Sequence, residues 1–361
     1  MNIIRSWFAR HFSDPQVVAL ALILLSGLVL LMLFGTLLTP VLASVVVAYL
    51  LDGPVCRLER LRVPRWVAAA LLSTALLLSV VWVSFALLPL LTRQAGQIVQ
   101  ELPALIDRIQ TWIASLPSRY PALITGEQID ALLNTTTIDV ASWRQSLVTR
   151  SLVVGMGLLY LGVYILLVPL MVFFMLRDKH LILTWVAGFV PRNRGLVQSV
   201  WTDVNAQLSN YVRGKAVEIA IVWVAAYATF TLLGLKYAML LSALVGFSVL
   251  VPYIGAFGMT VPVMLVAYAQ WGMEAQTLYV LVAYIVLQMI DGNILVPVLF
   301  SEAVDLHPVA IITAVLFFGG VWGFWGVFFA IPLATVVHAV IKAWPRTHAP
   351  LEGDTRGLGA G

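Results

Sequence analysis

Only one cysteine, Cys56, occurs in 361 residues. A lone thiol excludes an intramolecular disulfide and any multi-cysteine metal site. Charge is almost as scarce, with Asp, Glu, Lys and Arg making up 11% of the chain, against about 25% in an ordinary soluble domain. So little charge cannot coat a water-facing surface. The five histidines (11, 180, 307, 338, 348) are scattered, without His-x-x-x-His or Glu-x-x-His spacing, which argues against a zinc enzyme. A Gly-rich phosphate loop followed by Lys-Ser/Thr is missing too, which argues against an ATP-driven pump. The expectation is a protein that is no enzyme and uses no cofactor, metal or nucleotide.

What is present is apolar. Hydrophobic residues reach 61%, with 16 Phe, 12 Trp and 11 Tyr, and mean hydropathy is +0.98. These values fit neither a disordered chain nor a soluble core, and they predict a partner in the lipid bilayer. A net charge of +4 does not point to nucleic acid, because the basic residues gather at the ends of apolar runs. That is the distribution the positive-inside rule describes. Arg5 and Arg10 precede an apolar run too long for a cleavable signal.

The runs divide the chain. Pro15–Leu51 is uncharged over 37 residues, and a soft break at Gly35–Thr36 predicts two short helices joined by a tight turn, since one span needs about 20 residues. Further spans are predicted at Trp66–Leu91, Ser151–Leu176, Ala216–Leu233 and Gln276–Phe300. The loop Asp52–Arg65 carries four Arg against Asp52 and Glu59, and Arg177–Lys215 carries six Lys or Arg against two acids. Both are placed in the cytoplasm. Thr92–Arg150 balances five Arg against five acids and is placed outside, in agreement with the parity of four spans. The expected organisation is 1–91 with three membrane helices, an extracytoplasmic helical segment over 92–150, a fourth span and cytoplasmic loop over 151–215, a transport core over 216–342, and a disordered cytoplasmic tail over 343–361.

Within the outer segment Ile98, Leu102, Leu105, Ile109, Trp112 and Leu116 recur at heptad spacing. Such a seam serves either a homo-oligomer contact or a helix lying on its own subunit or on the bilayer surface. Pro103 interrupts it and predicts a helix start or a kink there.

Two long segments, Tyr237–Gln270 and Pro308–Ile341, are each uncharged over 34 residues. A straight helix of that length would run about 50 Å across a hydrocarbon core of about 30 Å. Each must break. Pro252, Tyr253, Gly255, Gly258 and Pro262 mark the first, and Gly319, Gly320, Gly323 and Gly326, with Pro332 beyond, mark the second. Paired interrupted helices of this kind form an internal repeat whose freed backbone groups line a midplane site. The predicted fold class is all-α, a polytopic membrane protein of about eight membrane segments. The two interrupted ones are either re-entrant hairpins in an inverted repeat or kinked spans. Arms of about 15 residues reach about 22 Å, which favours hairpins. Hairpins put Trp271–Ala275 outside and Ser301–His307 inside; kinked spans reverse both.

Asp291 is the only charged side chain between Glu274 and Glu302. A carboxylate at a helix centre costs roughly 2.5–3.5 kcal/mol on insertion scales, so it usually faces a cavity and has a task. With Gln288 and Asn293 it can bind a cation, carry a proton or hydrogen-bond a polyhydroxylated solute, and Gly292 permits close backbone approach. Glu218 is the second candidate, at i,i+3 from Lys215, where an anchoring ion pair competes with a proton site. Arg213, Lys215, Arg177 and Asp178 are placed at the cytoplasmic mouth.

Many of these strings resemble the autoinducer-2 exporter family of bacterial permeases. They are Phe173-Phe174-Met175-Leu176-Arg177-Asp178, Tyr211-Val212-Arg213-Gly214-Lys215, and Pro252-Tyr253-Ile254-Gly255 with Gly258 and Pro262. Then follow Gln288-Met289-Ile290-Asp291-Gly292-Asn293, Pro297, Leu306-His307-Pro308, Gly319-Gly320 and Ala330-Ile331-Pro332-Leu333. Pro40, Tyr49-Leu50-Leu51 and Pro54 match in outline, so the likeness covers about residues 15–342. Asp291 stands where the family often has Glu, and Lys215 where it often has Gln. The resemblance implies a multi-pass transporter of the bacterial inner membrane with both termini cytoplasmic. Its cargo would be a small polar solute such as the signalling molecule autoinducer-2, or Na+ or Li+ exchanged for H+. An uncoupled channel or a structural scaffold is the alternative.

Overall fold

The computed structural model describes residues 15–114, 117, 162–188, 195–252, 254–300 and 307–343. Among these residues the chain is all-helical. The elements are α1 (Pro15–Arg60), α2 (Arg65–Trp82), a π-helical turn (Val83–Leu87), α3 (Leu88–Ala114), α4 (Gly162–Arg177), α5 (Lys179–Gly188), α6 (Gly195–Leu232), α7 (Ala238–Ser248), α8 (Ile254–Trp271) and α9 (Ala275–Ile290). A second π-helical turn (Asp291–Leu295), α10 (Val296–Phe300) and α11 (Pro308–Ala343) complete the order. Among the described residues five stretches are long and apolar enough to cross a membrane: Leu37–Arg60, Arg65–Ala104, Val200–Leu232, Ile254–Trp271 and Ala275–Phe300. Large apolar side chains such as Phe85, Leu232 and Phe257 point outward on them. In water that arrangement would be costly; against lipid tails it costs nothing, because the solvent is as apolar as the side chains.

The predicted turn at Gly35–Thr36 does not form. α1 is one helix of 46 residues. Gly35 keeps a negative φ, so nothing in its backbone interrupts the hydrogen-bond ladder. Its missing side chain serves packing instead, since a Cβ there would collide with the indole of Trp322. The parity count from four spans loses its first turn with this helix, and orientation rests on charge alone.

By its contacts the chain divides into two units, 1–35 with 183–208 and 304–361, and 36–182 with 209–303. In the second unit one core joins α6 to α9 through Val222, Ala226, Phe230, Leu241, Val245, Val263, Val280 and Tyr284. A smaller core joins α1, α2 and α4 through Val55, Ala68, Ala69, Val172 and Leu176. Charge closes one end of that smaller core. Arg65, at the start of α2, donates from Nε to the Leu176 carbonyl at 2.8 Å and pairs with Glu59 and Asp52. Asp52 also takes Lys179 at 2.8 Å. The guanidinium thereby satisfies a carbonyl at the end of α4 that has no partner within its own helix.

Helix α3 runs on from α2 through Val83–Leu87, and Pro103 sits inside it rather than starting a new one. Its side chains Gln94, Ile98, Glu101 and Arg108 meet the same chain. Gln94 accepts the backbone N–H of Leu240 at 2.9 Å, an otherwise orphaned donor in the first turn of α7. Ile98 packs against the main core. Tyr237 Oη donates to Glu101 at 2.9 Å, and Arg108 donates to the Ala269 carbonyl at 2.9 Å. Of the seam residues, Ile98 is thus in contact with its own subunit, while Gln94, Glu101 and Arg108 are not seam positions. The side chains of Leu105, Ile109 and Trp112, residues 115–116 and 118–150, and the tail beyond 343 lie outside the described residues.

Both long segments break. The first does so at Val249–Pro252, giving arms of 11 and 18 residues rather than two equal ones. Pro252 lacks the N–H that would continue the ladder, and the chain turns through Val251 N–H to Ser248 O and Gly255 N–H to Val251 O. Gly255 lies so close to the Ser248 carbonyl that a Cβ would overlap it. The second breaks at Gly323, with φ 61 and ψ −138, a conformation open essentially only to glycine. Gly326 lies against the Phe318 carbonyl just as tightly, and Gly319 against Val327. In each segment a glycine beyond the break abuts a carbonyl before it.

Candidate functional site

The first break leaves backbone groups without helical partners, and one of them finds a lysine. Lys215 Nζ donates to the Val249 carbonyl at 2.8 Å and to Glu218 Oε2 at 2.7 Å. The lysine and glutamate are i,i+3 on α6, so the pair follows from helical geometry. Its depth does not: Lys215 is 7% exposed and Glu218 1%. Lys215 also lies over the Phe300 ring, 5.3 Å from its centroid. Gly214 makes room for that ring, which a Cβ would meet at 2.8 Å.

Asp291 belongs to the same cluster. It opens the π-helical turn after α9, is buried, and interacts electrostatically with both Lys215 and Glu218. Its Oδ1 is shielded from solvent and has no hydrogen-bond partner. Tyr211, one turn before Lys215, stands beside Glu218 and packs on Phe300 with centroids 6.0 Å apart. Its hydroxyl is also buried without a partner. Buried polar atoms are nearly always paired, so two orphans flanking one ion pair mark a place prepared for something polar. A π-helical turn is itself a frequent companion of functional sites.

The four residues proposed for ion binding separate into two groups. Asp291 and Glu218 come together. Gln288 instead donates to Tyr284 Oη at 2.8 Å, and that hydroxyl donates to the Ala256 carbonyl at 2.7 Å, tying α9 to α8. Asn293 is exposed and donates to Met289 O on its own helix. Gly292 is exposed with open space around it, as are Gly258 and Gly320. Pro262 and Pro332 lie inside α8 and α11, and Pro252 sits in the turn before α8. Tyr253 lies outside the described residues.

The mouth residues also divide. Lys215 is in the buried cluster. Arg213, two positions earlier, points to another side of α6, and its guanidinium lies against Gly53, about 3.4 Å from where a Cβ would stand. Arg177 is exposed and Asp178 half-buried, and they pair with each other through 2.9 and 2.7 Å bonds. Arg177 also covers the rings of Phe173 and Phe174. These bonds hold the Asp178 carboxyl below the usual carboxylate range. Sequence reasoning did not single out Tyr211, the Val249 carbonyl or Phe300. The Tyr211–Lys215–Glu218 spacing of 4 and 3 was the available signal for the first.

The chain is similar to known proteins along nearly its whole length. The family model described as AI-2E family transporter matches residues 6–346. A protein of Escherichia coli (strain K12), "Putative permease PerM", is 44% identical over 345 residues, covering 96% of this chain and 98% of that protein. A protein of Bacillus subtilis (strain 168), "Putative transport protein YueF", is 25% identical over 324 residues, covering 86% and 84%. Matched along nearly its whole length, this multi-pass chain belongs to the AI-2E transporter family.

Proposed function

We propose that the chain is a secondary transporter. It moves a small polar solute of the autoinducer-2 type, or exchanges a monovalent cation for protons, across the bacterial inner membrane with both termini cytoplasmic. The observation that carries this reading is the buried Lys215–Glu218–Asp291 cluster on a carbonyl freed by a helix break. Ionisable groups are expensive in a bilayer and line ion or substrate pathways. Interrupted helices present backbone carbonyls to such groups. The second broken segment, with its similar glycine-against-carbonyl contact, supports reading the two as re-entrant hairpins of an inverted repeat. Self-association of the protein belongs to the same reading.

Flux into liposomes tests it. Candidate solutes and cations should enter saturably and respond to an imposed pH gradient. Asp291→Asn should lower that flux at least about tenfold, the loss expected from about 1.4 kcal/mol of lost transition-state stabilisation, while elution from size exclusion stays unchanged. Flux that rises linearly with concentration and ignores the gradient would make the protein an uncoupled channel. Undiminished flux in the folded Asp291→Asn protein removes the cluster from the mechanism.

A further inference from the structure

The two carboxylates of the cluster are not equivalent. Glu218 is closed: its Oε2 accepts from Lys215 at 2.7 Å, and the lysine's other bond goes to the Val249 carbonyl. The remaining face of the ammonium lies over the Phe300 ring. Lys215 is therefore held in one position. Asp291 is open: it is only 9% exposed, and its Oδ1 has no hydrogen-bond partner.

Charge makes the difference matter. The groups facing Asp291 are Lys215 and Glu218 on α6, with the Tyr211 hydroxyl beside Glu218. One lysine thus serves two carboxylates, and the fully ionised cluster has one negative charge too many. Arg213 does not supply the missing cation. Two residues from Lys215, it lies about 200° round the helix, against Gly53. An uncompensated buried charge costs several kcal/mol. One further monovalent cation, a proton included, must therefore accompany the cluster whenever water is shut out.

We propose that Asp291 is the exchange position for a single monovalent cation, and that Lys215 is a resident counter-ion that keeps Glu218 out of the exchange. This assignment rests on the transporter reading and deepens it. No covalent chemistry is involved: Oδ1 takes up one proton and releases it when a metal cation of the same charge arrives. Glu218 stays ionised on its lysine throughout.

Infrared difference spectroscopy on the full chain in liposomes reads this directly. In choline buffer, stepping from about pH 8 to about pH 5.5, exposed carboxylates stay ionised. Wild type should gain one protonated-carboxyl stretch, and added Na+ or Li+ should diminish it. The band should vanish in Asp291→Asn, move in frequency in Asp291→Glu and persist in Glu218→Gln. Lys215→Met should add a second band, because Glu218 then loses its partner. Should Asp291→Asn fail to fold, the Asp291→Glu frequency change identifies the group by itself. Loss of the band in folded Glu218→Gln, its survival in Asp291→Asn, or no band in wild type overturns the assignment. The expected bands in a protein that moves nothing in liposomes would uphold the Asp291 site and overturn the transporter reading.

Discussion

Single residues in this chain owe their behaviour to what surrounds them, and two acids show the range. Asp178 is partly exposed and meets Arg177 through two hydrogen bonds, which lower its proton affinity. A lowered carboxyl adds stability above its unfolded value of about 3.9 and loses it as pH falls through the folded value. Exposure keeps that contribution small. We expect carbon-detected NMR of Asp178 to show a titration midpoint below the ordinary range, returning to it in Arg177→Gln. An unchanged midpoint in the variant would mean that the pair does not persist in solution. Asp291 is buried and lacks that kind of partner. Its isolation in an apolar run singled it out in the sequence. Neither the company of Lys215 nor the absence of Gln288 and Asn293 was legible, because both depend on which face of α9 and its π-helical turn meets α6.

Helices and turns carry the next lesson. Glycine and proline told where the chain would break, and Gly323 and Pro252 stand at or beside the breaks. The same reading failed at Gly35, where the residue serves an indole rather than a turn. One letter has two uses, backbone freedom and absent bulk, and only a neighbour distinguishes them. The close approaches at Gly255 and Gly326 are of the second kind. Gly255→Ala and Gly326→Ala should each destabilise the protein by about 1–3 kcal/mol, the usual cost of forcing bulk into a packed contact. Gly258→Ala and Gly320→Ala, in open space, should be near neutral. Thermal unfolding in detergent, followed by tryptophan fluorescence, compares the four. Equal midpoints throughout would mean that the arms do not touch.

At the scale of the molecule the question is how often the chain crosses the bilayer. Pro308–Gly323 and Trp325–His338 are 10–17 residues long, each short of the roughly 20 needed for a crossing. The 11-residue α7 is shorter still. Two short arms on the Gly323 break suit a hairpin that enters and leaves by one side, whereas the first break joins the short α7 to α8, which is itself long and apolar enough to cross. Cysteine labelling at positions 274 and 302 in a Cys56→Ser background decides it. Hairpins predict reaction of Glu274→Cys from outside and of Glu302→Cys from the cytoplasm; the reverse pattern requires kinked spans.

Composition alone determined that this protein lives in a membrane, since 61% apolar and 11% charged residues leave no other solvent for its surface. Run length determined that two segments must break, and the i,i+3 spacing of Lys215 and Glu218 determined that they can pair. Only the tertiary structure decided that this pair is buried on the Val249 carbonyl, that Asp291 shares it, and that the amphipathic face of α3 docks on its own chain at Ile98. The physical reason is common to all three. Periodicity states which side of a helix is apolar or charged, but a bilayer accepts apolar faces as readily as a neighbouring helix does. In a membrane the pattern therefore does not say which face turns inward, and the partner across the helix interface does.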